Sequence, residues 1–329
     1  MKRSVIRILV ALSLVLCVTC SALSALAAPI RVAVVQPLTH TSLNQIRDTI
    51  IAELQASGVE FEIVTRNAEG DSAALSTILS NVKLDGVDIL VPIATNTAQS
   101  AKVVFEDGDV PVVFAAVSDP VAAGLTGDDS FYITGVSNNI PAGEIVKLIS
   151  DFQPDYKKIG FLYTSSETNS VSTINAAKAY CDANGIAYEE VSIANLSELQ
   201  TAAETLISSG VDALYTGNDN SIASAMSTYT DVAYCHGIPV YCGADSMVAD
   251  GGFATIGVDY VQLGRQVAAM VVRIAGGEMP EDIPYETLSD YARFVNLQAA
   301  GRIGMELSDE VLAKYNVLVE ADGTSHFGK

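Results

Sequence analysis

The amino-acid sequence predicts an α/β protein of two similar lobes, each a doubly wound parallel sheet flanked by helices, with a three-crossing hinge between them. Three observations predict it: an internal repeat with a period of about 125 residues, short apolar runs without alternation, and amphipathic stretches between those runs. "GVDILVPIATNTAQSA" from Gly86 aligns with "GVDALYTGNDNSIASA" from Gly210 with seven identities in sixteen positions and no gap. The flanks repeat too. "IRVAVVQPLTHTSLNQI" at Ile30 answers to "KIGFLYTSSETNSVSTI" at Lys158, and "VPVVFAAVSDP" at Val110 to "IPVYCGADS" at Ile238. A repeat this long is a whole lobe, not a solenoid unit. Runs such as "IRVAVVQ", "DILVPIA" and "KIGFLY" read as parallel strands buried on both faces. "DSAALSTILSNV" and "LSELQTAAETLISSG" read as the helices between them, and alternating β and α gives a parallel sheet in each lobe.

Along the chain, the first segment joins Lys2, Arg3 and Arg7 to an apolar core and ends in Ala25-Leu26-Ala27. It reads as a secretory signal peptide over residues 1–28, cleaved after Ala27 or Ala28, with an apolar core too short for a good membrane span. The protein is therefore expected to be exported, periplasmic or at the cell surface. Lipidation at Cys17 or Cys20 is not favoured, because Leu16 and Thr19 precede them where a small residue is usual. Residues 29–137 with 259–283 are expected to form the first lobe, and 138–258 with 284–329 the second. The crossings fall after Gly135-Val136, after Gly257-Val258 and around "GGEMPEDIPYETL".

Composition narrows the function. The full chain carries a net charge of −21, and loss of a basic leader makes it more acidic, so nucleic acid and anionic lipid are poor partners. Cys181, Cys235 and Cys242 give no disulfide framework or zinc pattern and are read as packed free thiols, a Cys235–Cys242 bond being the alternative. No metal or cofactor is expected. There is no Walker loop, no His-Glu-x-x-His, no Gly-x-Ser-x-Gly and no Gly-x-Gly-x-x-Gly, and three histidines are thin material for acid–base catalysis, so an enzyme is not expected.

Polar runs recur where the strands end: "PLTHTS", "ATNT", "AVSDP", "TSSETNS", "TGNDNS" and "GADS". Ligands of doubly wound sheets sit beyond the carboxyl ends of the strands. Asn96-Thr97 and Asn220-Ser221 are expected helix N-caps, but six such rims in two facing copies exceed what capping requires and read as the walls of one cleft.

The segments "AVSDPVAAGL", "GVSNNIP", "KIGFLYTSSETNS", "TGNDNSIASAM", "IPVYCGADSMV" and "ATIGVDYVQLGRQVAAMVV", with "THTSLNQIRD" as a His-containing first loop, resemble the solute-binding proteins of ABC importers with the type I periplasmic-binding-protein fold. The resemblance is closest to the branch that binds tryptophan and other aromatic amino acids. It covers about Pro29 to Leu318. It implies a monomeric capture protein that passes a small amino acid-like ligand, aromatic or hydrophobic, to a membrane permease. A carboxylate would then suit Thr95, Asn96 and Thr97 in one lobe and Thr168, Asn169 and Ser170 in the other, near helix N-termini. The ammonium would suit Asp219 first and Asp245 second. Asp219 is read as a rim residue whose loss spares the fold, and Asp119 as a turn residue. Val117, Ser118, Asn218 and Asn220 lie in the same rims, His40 would touch the ligand side chain, and Tyr260 would line the hinge side. A sugar or nucleoside binder of this fold is the alternative; the absence of Trp weighs against a sugar. A transcription regulator would need a DNA-binding head where the leader stands.

Overall fold

The computed structural model describes residues 28–327. The expected leader, with Cys17 and Cys20, lies outside the described residues. The first lobe runs β1 (Ile30–Gln36), α1 (Thr41–Ala56), β2 (Phe61–Asn67), α2 (Ser72–Leu84), β3 (Ile89–Pro92), α3 (Thr95–Val104), β4 (Val112–Ala115) and β5 (Ile133–Ser137). The second runs α4 (Ala142–Phe152), β6 (Lys158–Thr164), α5 (Thr168–Asn184), β7 (Ala187–Ile193), α6 (Leu199–Ser208), β8 (Ala213–Tyr215), α7 (Asn220–Ala223), α8 (Met226–Cys235), β9 (Val240–Tyr241), α9 (Asp245–Ala249) and β10 (Ala254–Val258). The chain then forms α10 (Tyr260–Ala275), β11 (Glu286–Thr287), β12 (Tyr291–Asn296), α11 (Leu297–Arg302), α12 (Asp309–Leu312) and β13 (Asn316–Val319).

The strands form two sheets, ordered β11-β5-β4-β3-β1-β2 and β13-β12-β10-β9-β8-β6-β7. The first is parallel throughout. The second departs from the expected all-parallel pattern at β12, which runs antiparallel to β10. Why the apolar runs lack alternation is visible in β1. Val32 and Val34 pack with Leu43, Ile46 and Ile50 of α1, while Ala33 and Val35 pack with Leu75 and Leu79 of α2 on the opposite face. A strand covered on both faces has no side left for water.

Two sequence expectations about boundaries are corrected. β11 pairs with β5, Glu286 against Val136 and Thr287 against Ser137, so the first lobe reaches past residue 283 and the third crossing lies between Thr287 and Tyr291. The expected caps also shift. α3 starts at Thr95, and its N-cap is Ala94, held at φ 71° with no side-chain cap bond. α7 is capped by Asp219, whose carboxylate accepts from Ile222 N. α7 itself is only one turn, because the chain breaks at Ser224-Ala225 before α8.

Strain gathers at the strand ends. Ala94 and Ala116, at the ends of β3 and β4, both have positive φ, a conformation disfavoured for any residue with a Cβ. Their backbones are held by Ala94 N donating to Ala115 O and Ala116 N donating to Val136 O.

Candidate functional site: an interlobe pocket

The strand order of each sheet reverses beside its first strand, between β1 and β3 in one lobe and between β6 and β8 in the other. The loops leaving these carboxyl ends face each other. Direct hydrogen bonds cross the gap. His40 Nε2 meets Asn220 Oδ1 at 3.1 Å, Thr41 Oγ1 donates to Asp250 at 3.2 Å, and Ser42 Oγ meets Ser246 Oγ. On the far side Thr168 Oγ1 donates to Gln99 Oε1 at 3.2 Å, Ser172 Oγ to Asp119 Oδ2 at 3.0 Å, and Asn96 Nδ2 to Ser166 O at 3.4 Å. The lobes are therefore closed on each other.

A narrow pocket lies between the lobes. Of the residues expected from sequence, His40, Ser118, Asn169, Asn218, Asp219, Asn220 and Tyr260 line it. Leu43, Ala116, Ala223, Ala244 and Met247 add an apolar wall. Ser42 and Asn138 complete the lining, Asn138 accepting from Ser118 Oγ at 3.1 Å and donating to Tyr260 Oη at 3.5 Å. Several buried polar atoms here lack a partner within the protein: His40 Nδ1, Asn169 Oδ1 and Asn218 Oδ1, with Thr95 Oγ1 and Thr97 Oγ1 at the start of α3. Such atoms are costly to bury unpaired, and a cluster of them on a pocket wall makes a candidate ligand site.

The other expected residues stand elsewhere. Val117 is wholly buried in the core between the first sheet and α2 and α3, and it does not line the pocket. Thr95 and Thr97 are buried in the first turn of α3, outside the pocket lining. Asn96 and Thr168 latch the lobes. Ser170 is fully buried beside Asp219. Asp245 is largely buried at the start of α9, next to Tyr260 but outside the lining; burial, followed by the Asp259 charge, pushes its carboxyl up to about 6.

Asp219 is not the rim residue the sequence suggested. It is fully buried, and its carboxylate accepts from Thr164 N at 2.6 Å, Thr164 Oγ1 at 2.9 Å and Ile222 N at 2.9 Å. It ties β6 to α7 while one edge borders the pocket. Burial, then the charge of Glu167, raises its pKa above the ordinary carboxylate range. Asp119 does make its turn, accepting from Ala122 N, but it also receives Ser172 from the other lobe.

Sequence reasoning passed over Glu167. This buried acid accepts from Asn169 Nδ2, Asn220 N, Asn220 Nδ2, Ser221 N and Ser221 Oγ at 2.7 to 3.2 Å. The signal was an acid within "TSSETNS" with no Lys or Arg beside it. Ala116, Ala244 and Met247 offered no polar signal at all.

Known proteins share this arrangement. An L-Trp complex of an ABC domain from Streptococcus pneumonia is 31% identical, covers 88% of this chain and 99% of its own, and superposes with a TM-score of 0.82. The ligand-free, open structure of a substrate binding protein with adhesive properties from Clostridium difficile is 29% identical over 88% of this chain and 98% of its own, yet scores 0.66. Nearly equal identity with unequal superposition is what a difference in lobe angle produces, and it agrees with the closed cleft described above. A tyrosine-binding protein of Clostridioides difficile strain R20291 is 28% identical over 278 residues, 82% of this chain and 80% of that protein. The family model for ABC transporter substrate binding proteins matches residues 31–318, which takes in both sheets, the hinge and every residue of the pocket. By its sequence and by the two-lobed fold that closes over this pocket, the chain belongs to the ABC transporter substrate-binding protein family.

Proposed function

We propose that the protein captures an L-amino acid with an aromatic or hydrophobic side chain outside the cytoplasm and delivers it to a membrane ABC permease. The observation that carries this reading is the pairing, in one closed pocket, of unpartnered acceptors with an apolar wall. Asn169 Oδ1 and Asn218 Oδ1 are unpartnered acceptors on residues that line the pocket with Asp219, the acid of the lining, and suit an ammonium with three donors to place. Leu43, Ala223, Ala244 and Met247 suit an apolar side chain. The tyrosine and tryptophan relatives support the same class. Among the described residues no helix is long and apolar enough to cross a membrane.

A thermal-shift panel of amino acids, sugars, nucleosides and polyamines tests this, because only ligands that favour the folded form raise its melting point. The largest shift is expected from an aromatic L-amino acid, and mass spectrometry of ligand released from purified protein should identify it. A sugar or nucleoside as the sole hit would sink the proposal.

A further inference from the structure

We infer that His40 selects ligands whose side chain ends in a hydrogen-bond donor, a phenol or an indole, over phenylalanine, and that Glu167 and Asn220 position it to do so. The inference rests on the amino-acid reading above and adds to it the chemistry at the far end of the side chain.

Four N–H groups converge on Glu167, from Asn169 Nδ2, Asn220 N, Asn220 Nδ2 and Ser221 N. The carboxylate therefore acts as an acceptor. Its bond from Asn220 Nδ2, at 2.8 Å, fixes which end of that amide is nitrogen. Asn220 must then present its Oδ1 to His40, 3.1 Å from Nε2. A carbonyl oxygen only accepts, so His40 Nε2 carries the proton. Burial holds His40 below the ordinary imidazole pKa, in opposition to the Asn220 bond and the Glu167 charge, so the ring is neutral and has one proton to place. Nδ1 is left as a bare lone pair. That atom is buried without a partner, on a residue that lines the pocket. A lone pair there repels a carboxylate and asks for a donor. The ammonium already has the acceptors of Asn169 and Asn218 on the second lobe, whereas His40 stands on the first. The group that reaches Nδ1 is thus the side-chain tip: the O–H of tyrosine or the N–H of tryptophan. Phenylalanine would leave Nδ1 buried and unpaired.

Calorimetric titration of L-tyrosine, L-tryptophan and L-phenylalanine against the wild-type protein, His40→Leu and His40→Gln tests this. The wild type should bind tyrosine or tryptophan roughly five- to a hundredfold more tightly than phenylalanine, the range set by leaving one buried acceptor unpaired. The two donor ligands tell phenol from indole. His40→Leu should bring the ratio near one by weakening the donor ligand alone. His40→Gln can still donate to Asn220 and offer an oxygen to the ligand, and should keep much of the preference. Nitrogen-15 NMR of the wild-type complex should show the proton on Nε2, independently of whether either variant folds. Equal wild-type affinity for tyrosine, tryptophan and phenylalanine, equal weakening of all three in folded His40→Leu, or a proton on Nδ1 would each overturn the inference. Failure of all three amino acids to bind the wild type would overturn the amino-acid reading, and this inference with it.

Discussion

At the residue scale, the buried carboxylates of the second lobe do different work from what their place in a polar run suggests. Removing the Asp219 carboxylate leaves Thr164 N, Thr164 Oγ1 and Ile222 N without their acceptor. Each buried donor so stranded costs about 1–3 kcal/mol. Asp219→Ala is therefore expected to lower folding stability by at least about 3 kcal/mol in the absence of ligand, as read by urea denaturation. A melting curve equal to that of the wild type would show these bonds to be energetically idle. Asp245 gives a prediction in pH. Its pKa rises from 3.8 unfolded to about 6 folded, mainly through burial. The folded state then holds the proton more tightly, so this residue's contribution is full below about pH 4 and is lost as pH climbs through about 6. Asp245→Asn removes the buried charge. It should be more stable than wild type at pH 7.5, by up to about 3 kcal/mol, and nearly equal to it at pH 4. A gap that is the same at both pH values would contradict the burial argument.

Among the elements, the pairing of β4 with β5 holds Ala116 and Ser118 in place, and it depends on Gly135. That residue has φ +154°, and a Cβ added there would stand 2.2 Å from Phe114 O and 2.5 Å from the Phe114 ring. Backbone cannot yield as a flexible side chain does, so Gly135→Ala should cost on the order of 3 kcal/mol or more. Ligand affinity should fall with it, because Ala116 is anchored through Val136 O. Thermal denaturation and calorimetric titration of the variant check both effects. The strands and longer helices were legible because apolar runs and amphipathic periods report burial directly. The caps were not. Asn96 and Asn220 have the right chemistry for a cap, but Ala94 is fixed by the strand beside it and Asp219 by its bonds to β6, and neither constraint is local in sequence.

For the whole molecule, small polar contacts at the edges of the cleft help to hold it closed. Each such neutral bond is worth about 0.5–1.5 kcal/mol, and a bond to a charged group somewhat more. Ser172→Ala removes the bond to Asp119 across the gap while leaving both lobe cores untouched. Ligand binding should weaken by roughly two- to tenfold, with unfolding stability of the free protein unchanged. Small-angle scattering should show a smaller radius for wild type with ligand than without it, as hinge closure requires. An affinity unaffected by Ser172→Ala would mean that this contact does not bias the hinge.

The two-lobed α/β architecture, the family and several stretches that line the pocket are legible in local patterns of the chain. The repeat, the two-faced apolar strands and the polar strand ends each record which side of the chain faces water, core or cleft. What each polar residue does there emerges with the folded chain. Folding sent Val117 into the core, turned Asp219 from a rim into a buried brace, gathered five donors from three residues around Glu167, and left His40 Nδ1 without a partner on a residue that lines the pocket. A hydrogen-bonding role belongs to a pair of groups, and many of the pairs here join residues from 53 to 209 positions apart. His40 and Asn220 are separated by 180 positions, and Thr164 and Asp219 by 55. No pattern within one segment encodes a partner that far away.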